Sequence, residues 1–319
     1  WDYDFPAAPN LVDITVDGRR IKALAQVSKQ AFTYVFDRVT GEPVWPIEER
    51  PVETDTDLDG DVLSPTQPFP TKPPPFDYQG VTIDDLADFT PEIRAMAIEA
   101  VRDFRLGPLF TPPMQSVDGG LQGTIQRPQI GGAASWSGAA VDPETGFLYV
   151  PSENRLSVLK YYTPDPDAGG NLRFTQAEFG SGKQPALPQG LPLLKPPYSR
   201  MTAIDLNEGD HAWMRPNGDG DRFRRHPQLR DLDLPPLGGE GHGGPLLTKT
   251  LLVSALSAGG STGGPRLIAR DKASGEIVGS LDLPGGAIGT PMTYLDDGVQ
   301  YIALTVGGEV PELIALRLP

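Results

Sequence analysis

Short apolar runs broken by turn residues recur along this chain. In the opening stretch they fall at 11–16, 21–27 and 32–36, with Asp17-Gly18 after the first and Ser28-Lys29-Gln30 after the second. Asp-Gly between two apolar runs is a strong short-range hairpin signal, so these residues predict three antiparallel strands. The same rhythm returns from Gly138. Hairpins are expected at 139–141 and 147–150, around Asp142-Pro143-Glu144-Thr145-Gly146, and at 200–206 and 211–214, around Asn207-Glu208-Gly209-Asp210. A third unit reads 245–247, 251–255, 267–271 and 277–283, and a fourth reads 291–295, 300–306 and 313–318.

The turns Asp37-Arg38-Val39-Thr40-Gly41-Glu42, Asp205-Leu206-Asn207-Glu208-Gly209-Asp210 and Asp271-Lys272-Ala273-Ser274-Gly275-Glu276 are one element repeated, and Trp45 and Trp213 follow two of them. Self-similarity at this spacing is the signature of an all-β propeller whose blades each carry four strands. Counting strands gives four in each of the first three units and three in the last. The expected organisation is one partial β-propeller domain over 1–319, interrupted by a Pro-rich and helical insertion at 46–130 and a Pro/Gly-rich insertion at 161–199.

Within the first insertion, the proline-dense run 65–75 lacks too many backbone donors to join a ladder and reads as an extended surface wrap. One helix follows. Thr90 caps it, Pro91 takes its first position, and Ile93, Met96, Ala97, Ala100, Val101 and Phe104 form an apolar stripe expected to pack on a sheet edge before Gly107-Pro108 stops it.

The 319 residues include 37 Gly and 35 Pro, which suits many short strands and tight turns. A formal charge of −15 argues against nucleic acid or an anionic membrane surface as partner. There is no cysteine for a disulfide framework or a thiolate, and no apolar run approaches the ~18 residues of a membrane-spanning helix.

Candidate chemistry comes from the geometry of the opening meander. The approach to its first strand and the end of its second lie at one edge of the sheet, which brings Asp2 to the same rim as Lys29. Such a pair could be a general base beside an electrophilic stabiliser, or an ordinary surface ion pair.

Four segments carry a resemblance: Trp1-Asp2-Tyr3-Asp4-Phe5-Pro6-Ala7; Ser28-Lys29-Gln30; Thr40-Gly41-Glu42-Pro43-Val44-Trp45-Pro46-Ile47-Glu48-Glu49-Arg50; and Ser64-Pro65-Thr66-Gln67-Pro68-Phe69-Pro70. They resemble the pyrroloquinoline quinone (PQQ) dependent dehydrogenases, in particular the periplasmic, often membrane-anchored, glucose, quinate and shikimate type. The resemblance implies an eight-bladed quinoprotein propeller, of which this chain supplies about four blades from the C-terminal part. It further implies Asp2 as catalytic base and Lys29 as the basic residue at the quinone oxygens. Where the family frequently has Asn at the end of the second unit's inner hairpin, this chain has Val150-Pro151-Ser152, and Ser152 is the candidate cofactor contact there. The calcium ion and its ligands are expected in an N-terminal half. That half, or a second copy, is expected to close the ring and to be needed for activity. Substrates would be alcohols, sugars, polyols or cyclic hydroxy acids, and the electron acceptor the quinone pool or a cytochrome. The rival reading is a propeller scaffold or interaction protein that keeps the docking repeats without the cofactor.

Other motifs carry less. Gly259-Gly260-Ser261-Thr262-Gly263 fits Gly-x-Ser-x-Gly, but Gly264-Pro265 leads into a strand instead of the helix that a nucleophile elbow needs. Gly180-Ser181-Gly182-Lys183-Gln184 is an incomplete phosphate loop. His211, His226 and His242 lack metal-ligand spacing, and the acidic run 55–61 has no Glu at the EF-hand distance.

Overall fold

The computed structural model describes all residues except 166, 168, 177–181, 240, 242, 258–263, 318 and 319. Four antiparallel sheets follow one another in the chain. The first holds Asn10–Val16, Arg19–Val27 and Thr33–Asp37; the second holds Ala140–Val141, Phe147–Glu153, Ser199–Asp205 and Asp210–Pro216. The third holds Leu246–Leu247, Leu251–Leu256, Arg266–Asp271 and Ile277–Asp282, and the fourth holds Ala287–Asp296, Val299–Val306 and Glu312–Arg317. The first strand of each sheet packs against the first strand of the next, which is the radial arrangement of propeller blades around an axis.

The expected fourth strand of the first sheet is not formed. It is reduced to a single bridge between Phe36 and Pro43 and a hydrogen bond from Val44 N to Val35 O, since Pro43 and Pro46 cannot donate to a ladder. The proline-dense run departs from its expected form in the opposite sense: Thr66–Pro70 pairs with Ile47–Pro51. Pro68 and Pro70 are two residues apart, and alternate residues of an antiparallel strand turn their N–H away from the partner, so the two prolines cost the ladder nothing.

Period-two burial builds the blades. In Arg19–Val27 the side chains of Ile21, Ala23, Ala25 and Val27 are buried while Arg19, Arg20 and Lys22 are exposed. The Asp-initiated turns share one construction. The carboxylates of Asp37, Asp142, Asp205 and Asp271 each accept a hydrogen bond from the backbone N–H two residues on, and a Gly at positive φ closes each turn. Two of those glycines receive the docking tryptophans. The Trp45 ring lies on Gly209 of the second sheet's outer turn, and the Trp213 ring lies on Gly275 of the third sheet's, each where a Cβ would collide. Trp213 Nε1 also donates to Lys272 O at 3.2 Å. Below this dock, Lys272 Nζ meets the buried Asp142 Oδ2 at 2.7 Å, tying the third sheet to the second.

The helix Pro91–Val101 is capped as expected, with Thr90 Oγ1 accepting from Ile93 N at 3.2 Å. Its buried face of Ile93, Ala97 and Val101 packs in a separate core with Leu86, Leu187, Leu191, Leu194 and Leu229 instead of on a blade edge. The apolar residues of the two insertions and of the 217–239 loop therefore cover each other. Gly259–Gly263, His242 and Gly180-Ser181 lie outside the described residues. His211 and His226 rest on the backbone carbonyls of Pro74 and Gln189.

Candidate functional site

The run Trp1-Asp2-Tyr3-Asp4-Phe5 alternates aromatic and acidic residues, and its backbone turns at Asp2, which takes φ 58°. Trp1 and Tyr3 meet Phe110 edge to face at 5.5 and 5.9 Å between centroids, and Phe5 meets Tyr34 at 5.5 Å. Polar ends fix the same side: Trp1 Nε1 donates to Thr111 O and Tyr3 Oη to Pro128 O, both at 2.8 Å. The other side carries Asp2 and Asp4, and both carboxylates close on one ammonium. Lys29 Nζ lies 2.8 Å from Asp2 Oδ2 and 2.7 Å from Asp4 Oδ1.

Lys29 sits in a tight loop in which Ser28 N donates to Phe32 O and Ala31 takes φ 73°. Gln79 Nε2 braces this loop at Gln30 O, and Gly132, at φ 85°, leaves room for the Lys29 stem where any Cβ would collide. The Lys29 side chain is 9% exposed, against 60% for Asp2 and 55% for Asp4, so a buried cation holds two carboxylates at the solvent edge. Burial disfavours the Lys29 charge, but the hydrogen bonds it donates to Asp2 and Asp4 outweigh that and raise the ammonium pKa. The hydrogen bond from Lys29 in turn holds the Asp4 carboxyl below the usual aspartate value.

Ser152 belongs to strand Phe147–Glu153 and pairs with Arg200 in register. It is fully buried, and its hydroxyl faces Asp77 without closing a hydrogen bond. Burial pushes the Asp77 carboxyl up, against the pull of the Arg200 guanidinium at 3.4 Å. The strand ends one residue past Ser152, and Glu153, Asn154 and Arg155, of which only Arg155 is exposed, line cavities. Sequence reasoning missed these three and Asp4. The period-two spacing of the opening run would have found Asp4, whereas the strand's true end could not be read from Val150-Pro151-Ser152.

A cavity of about 510 Å³, not lined by Asp2, Asp4 or Lys29 themselves, opens among Ser135, Trp136, Glu153, Arg155, Gly244 and Thr290. Its connection to Lys29 is short: Ala133 N donates to Lys29 O and Glu153 N donates to Ala133 O, both at 3.0 Å. Trp136 is 81% exposed, and Gly241, Gly243, Gly244 and Gly289 keep the wall free of side chains. A flat aromatic polyanion suits such a place. The indole face offers stacking, Arg155 and the hydroxyls of Ser135 and Thr290 offer donors, and the glycines allow close approach of a planar ring. No group of three or more acidic or histidine side chains suited to a metal ion occurs among the described residues. In the acidic run, Asp57 accepts from Gln115 N and Asp59 pairs with Arg173.

Radial sheets, docked tryptophans and a buried lysine at the blade rim define a β-propeller of the quinoprotein kind. The family model for the PQQ glucose/ethanol/alcohol dehydrogenase β-propeller domain matches residues 1–302, and the chain belongs to that family. It is 30% identical to the glycerol dehydrogenase large subunit of Gluconobacter oxydans (strain 621H), over 97% of this chain and 43% of that protein. It is 29% identical to the quinate/shikimate dehydrogenase (quinone) of Acinetobacter baylyi and to the quinoprotein glucose dehydrogenase of Escherichia coli, covering 97% of this chain and 39% of each. The chain thus spans well under half the length of these relatives. Among solved structures it superposes on a quinohemoprotein alcohol dehydrogenase from Pseudomonas putida HK5, with TM-score 0.54, 18% identity, and coverage of 97% of this chain and 35% of that one. A europium-containing methanol dehydrogenase gives TM-score 0.51 and 20% identity, over 96% and 40% of the two chains. These structural likenesses concern the fold.

Proposed function

We propose that this chain carries the proton-abstracting carboxylate and the quinone-facing amine of a PQQ-dependent dehydrogenase acting on an alcohol, sugar, polyol or hydroxy acid. The observation that carries this reading is the Asp2–Lys29–Asp4 trio in a chain matched along nearly all of its length by the family model. PQQ, when bound, supplies the two-electron acceptor for the carbinol carbon. Asp2, kept in place by Lys29, takes the proton of the substrate hydroxyl. The Lys29 ammonium, charged across the neutral range, donates toward oxygens on which negative charge grows, a preorganised role worth roughly 3–4 kcal/mol of barrier. Asp4 holds the ammonium from its other side, so that Asp2 can release Lys29 and turn to substrate without leaving a buried cation alone.

On this reading Trp136, Arg155, Ser135 and Thr290 hold the cofactor, while Ser152 lies fully buried near Asp77. Calcium ligands and the remaining blades belong to residues beyond this chain or to a second copy, in support of which the fourth sheet leaves Ile288, Met292, Leu295 and Leu313 more than half exposed. The names of two relatives, a quinate/shikimate dehydrogenase (quinone) and a quinohemoprotein alcohol dehydrogenase, support a quinone or a haem protein as electron acceptor, and the family resemblance implies a periplasmic setting. None of the helices among the described residues is long and apolar enough to cross a membrane.

The test is reconstitution of the full assembly with PQQ and calcium, followed by dye reduction over a panel of polyols, sugars and hydroxy acids. Asp2→Asn is expected to abolish turnover and leave PQQ uptake intact, while Lys29→Gln weakens both. Failure of the assembled protein to take up PQQ would leave the scaffold reading in its place.

A further inference from the structure

Six non-glycine residues among those described have positive φ, and three of them, Asp2 at 58°, Ala31 at 73° and Phe110 at 68°, meet around the opening run. Ala31 follows Gln30 in the Lys29 loop, and Phe110 takes the Trp1 and Tyr3 rings edge to face. Asp17 and Asp297, by contrast, stand in Asp-Gly hairpin turns, where such a φ is routine. Asp2 lies in no strand or hairpin, so its costly backbone conformation has to be imposed by groups from elsewhere in the fold.

Two buried amides impose it. Gln126 Nε2 donates to Trp1 O at 2.8 Å and Gln30 Nε2 donates to Tyr3 O at 3.0 Å, so the carbonyls on either side of Asp2 in the chain are both held. The glutamines are 5% and 7% exposed and come from different elements, Gln126 from the end of strand Thr124–Gln126 and Gln30 from the Lys29 loop. Each has its own anchor. Gln126 pairs in register with Ser157, and Gln30 O accepts from Gln79 Nε2 at 2.7 Å. Turning either amide over would set Oε1 against a carbonyl oxygen, so the carbonyl fixes the orientation, and both Oε1 atoms are left as buried acceptors without a donor. An orphaned buried acceptor costs stability. Two of them beside three residues at positive φ mark a place where the chain gives up stability, and such places gather at functional sites.

We propose that Gln126 and Gln30 are positioning residues that set the backbone of Asp2 and thereby aim its carboxylate at substrate. This role rests on the reading of Asp2 as proton acceptor, in which its bond to Lys29 has to open. The Asp2 side chain is 60% exposed, so once that bond opens only the main chain directs it. The amides grip the main chain and not the carboxylate, and their hold therefore outlasts the ion pair.

Two measurements on the assembly reconstituted with PQQ and calcium test this. The first is independent of turnover. Asp2→Gly and Asp2→Ala lose the same contact with Lys29, but only alanine keeps the penalty of a positive φ, so Asp2→Gly is expected to melt higher, the reverse of the order at an ordinary site. The second is kinetic. Gln30→Met and Gln126→Met keep the side-chain length and lose the donor, and each is expected to lower kcat roughly tenfold, the scale of one lost hydrogen bond, with KM and PQQ uptake within about twofold of the parent. Gln30→Asn and Gln126→Asn, which keep a donor, should recover part of the loss and carry the same comparison if a methionine variant fails to fold by circular dichroism. Asp2→Ala melting at or above Asp2→Gly, the parent's kcat in the folded methionine variants, or a fall in PQQ uptake that matches the fall in kcat overturns the proposal. Full turnover in Asp2→Asn would remove the proton-acceptor reading and leave the melting comparison standing, whereas loss of turnover in Asp2→Asn without the melting difference would keep that reading and remove the positioning role.

Discussion

At the scale of residues, the trio assigns different work to two aspartates that share one lysine. Asp4 is held low by the Lys29 hydrogen bond, so it contributes stability above the ordinary aspartate pKa of about 3.9 and loses it as pH falls through its depressed folded value. Replacing it with Asn is expected to lower the melting temperature near neutrality, and the gap to the parent protein should close in acid; a gap that persists at pH 2 would refute the linkage. Asp4→Asn should also leave some turnover where Asp2→Asn leaves none, with the difference read from kcat. Asp2 and Lys29 were legible in the sequence because a meander has only two rims and its connectivity decides which residues share one. Asp4 was equally legible in principle, since aromatic-acid alternation can bury only one side. Asn154 and Arg155 were not, because where a strand ends depends on the long insertion that follows it, and no local signal at Ser152 marks that point.

At the scale of elements, docking depends on a ring pressed against a turn that has no side chain. Gly275 at φ 75° faces the Trp213 indole, so Gly275→Ala adds both backbone strain and a collision, and Trp213→Ala opens a cavity expected to cost about 3–5 kcal/mol by denaturant titration. The buried Asp142–Lys272 pair spans the same two sheets. Asp142→Ala, which strands the lysine, is expected to cost about 3 kcal/mol at neutral pH, and a loss well under 1 kcal/mol would show that the sheets are held by the rings alone. Here the sequence spoke clearly, because Asp-x-x-x-Gly turns and their trailing tryptophans repeat. It misled at the prolines. Composition suggested that residues 65–75 were barred from any ladder, whereas Pro68 and Pro70 fall on the side that donates nothing to Ile47–Pro51.

For the whole molecule, burial is uneven. The first and second sheets share a continuous core, while one face of the fourth sheet presents Met292 at 55% and Leu313 at 75% exposure. If that face receives a second copy, sedimentation velocity should show association as concentration rises, abolished by Met292→Lys with Leu313→Lys; a single slow species at every concentration would exclude that partner. Propeller class followed from repetition, and the number of strands per blade did not, since prolines after the first turn reduce an outer strand to one bridge.

The seat of Trp45 on Gly209 also bears on how the protein is made. The indole leaves the ribosome before the turn that receives it, so until Gly209 has emerged the first sheet carries an undocked aromatic ring on its outer flank. Nascent chains in that condition invite sticking and misassembly, and a chaperone that shields the emerging blade until the second sheet is complete would raise the yield of soluble protein.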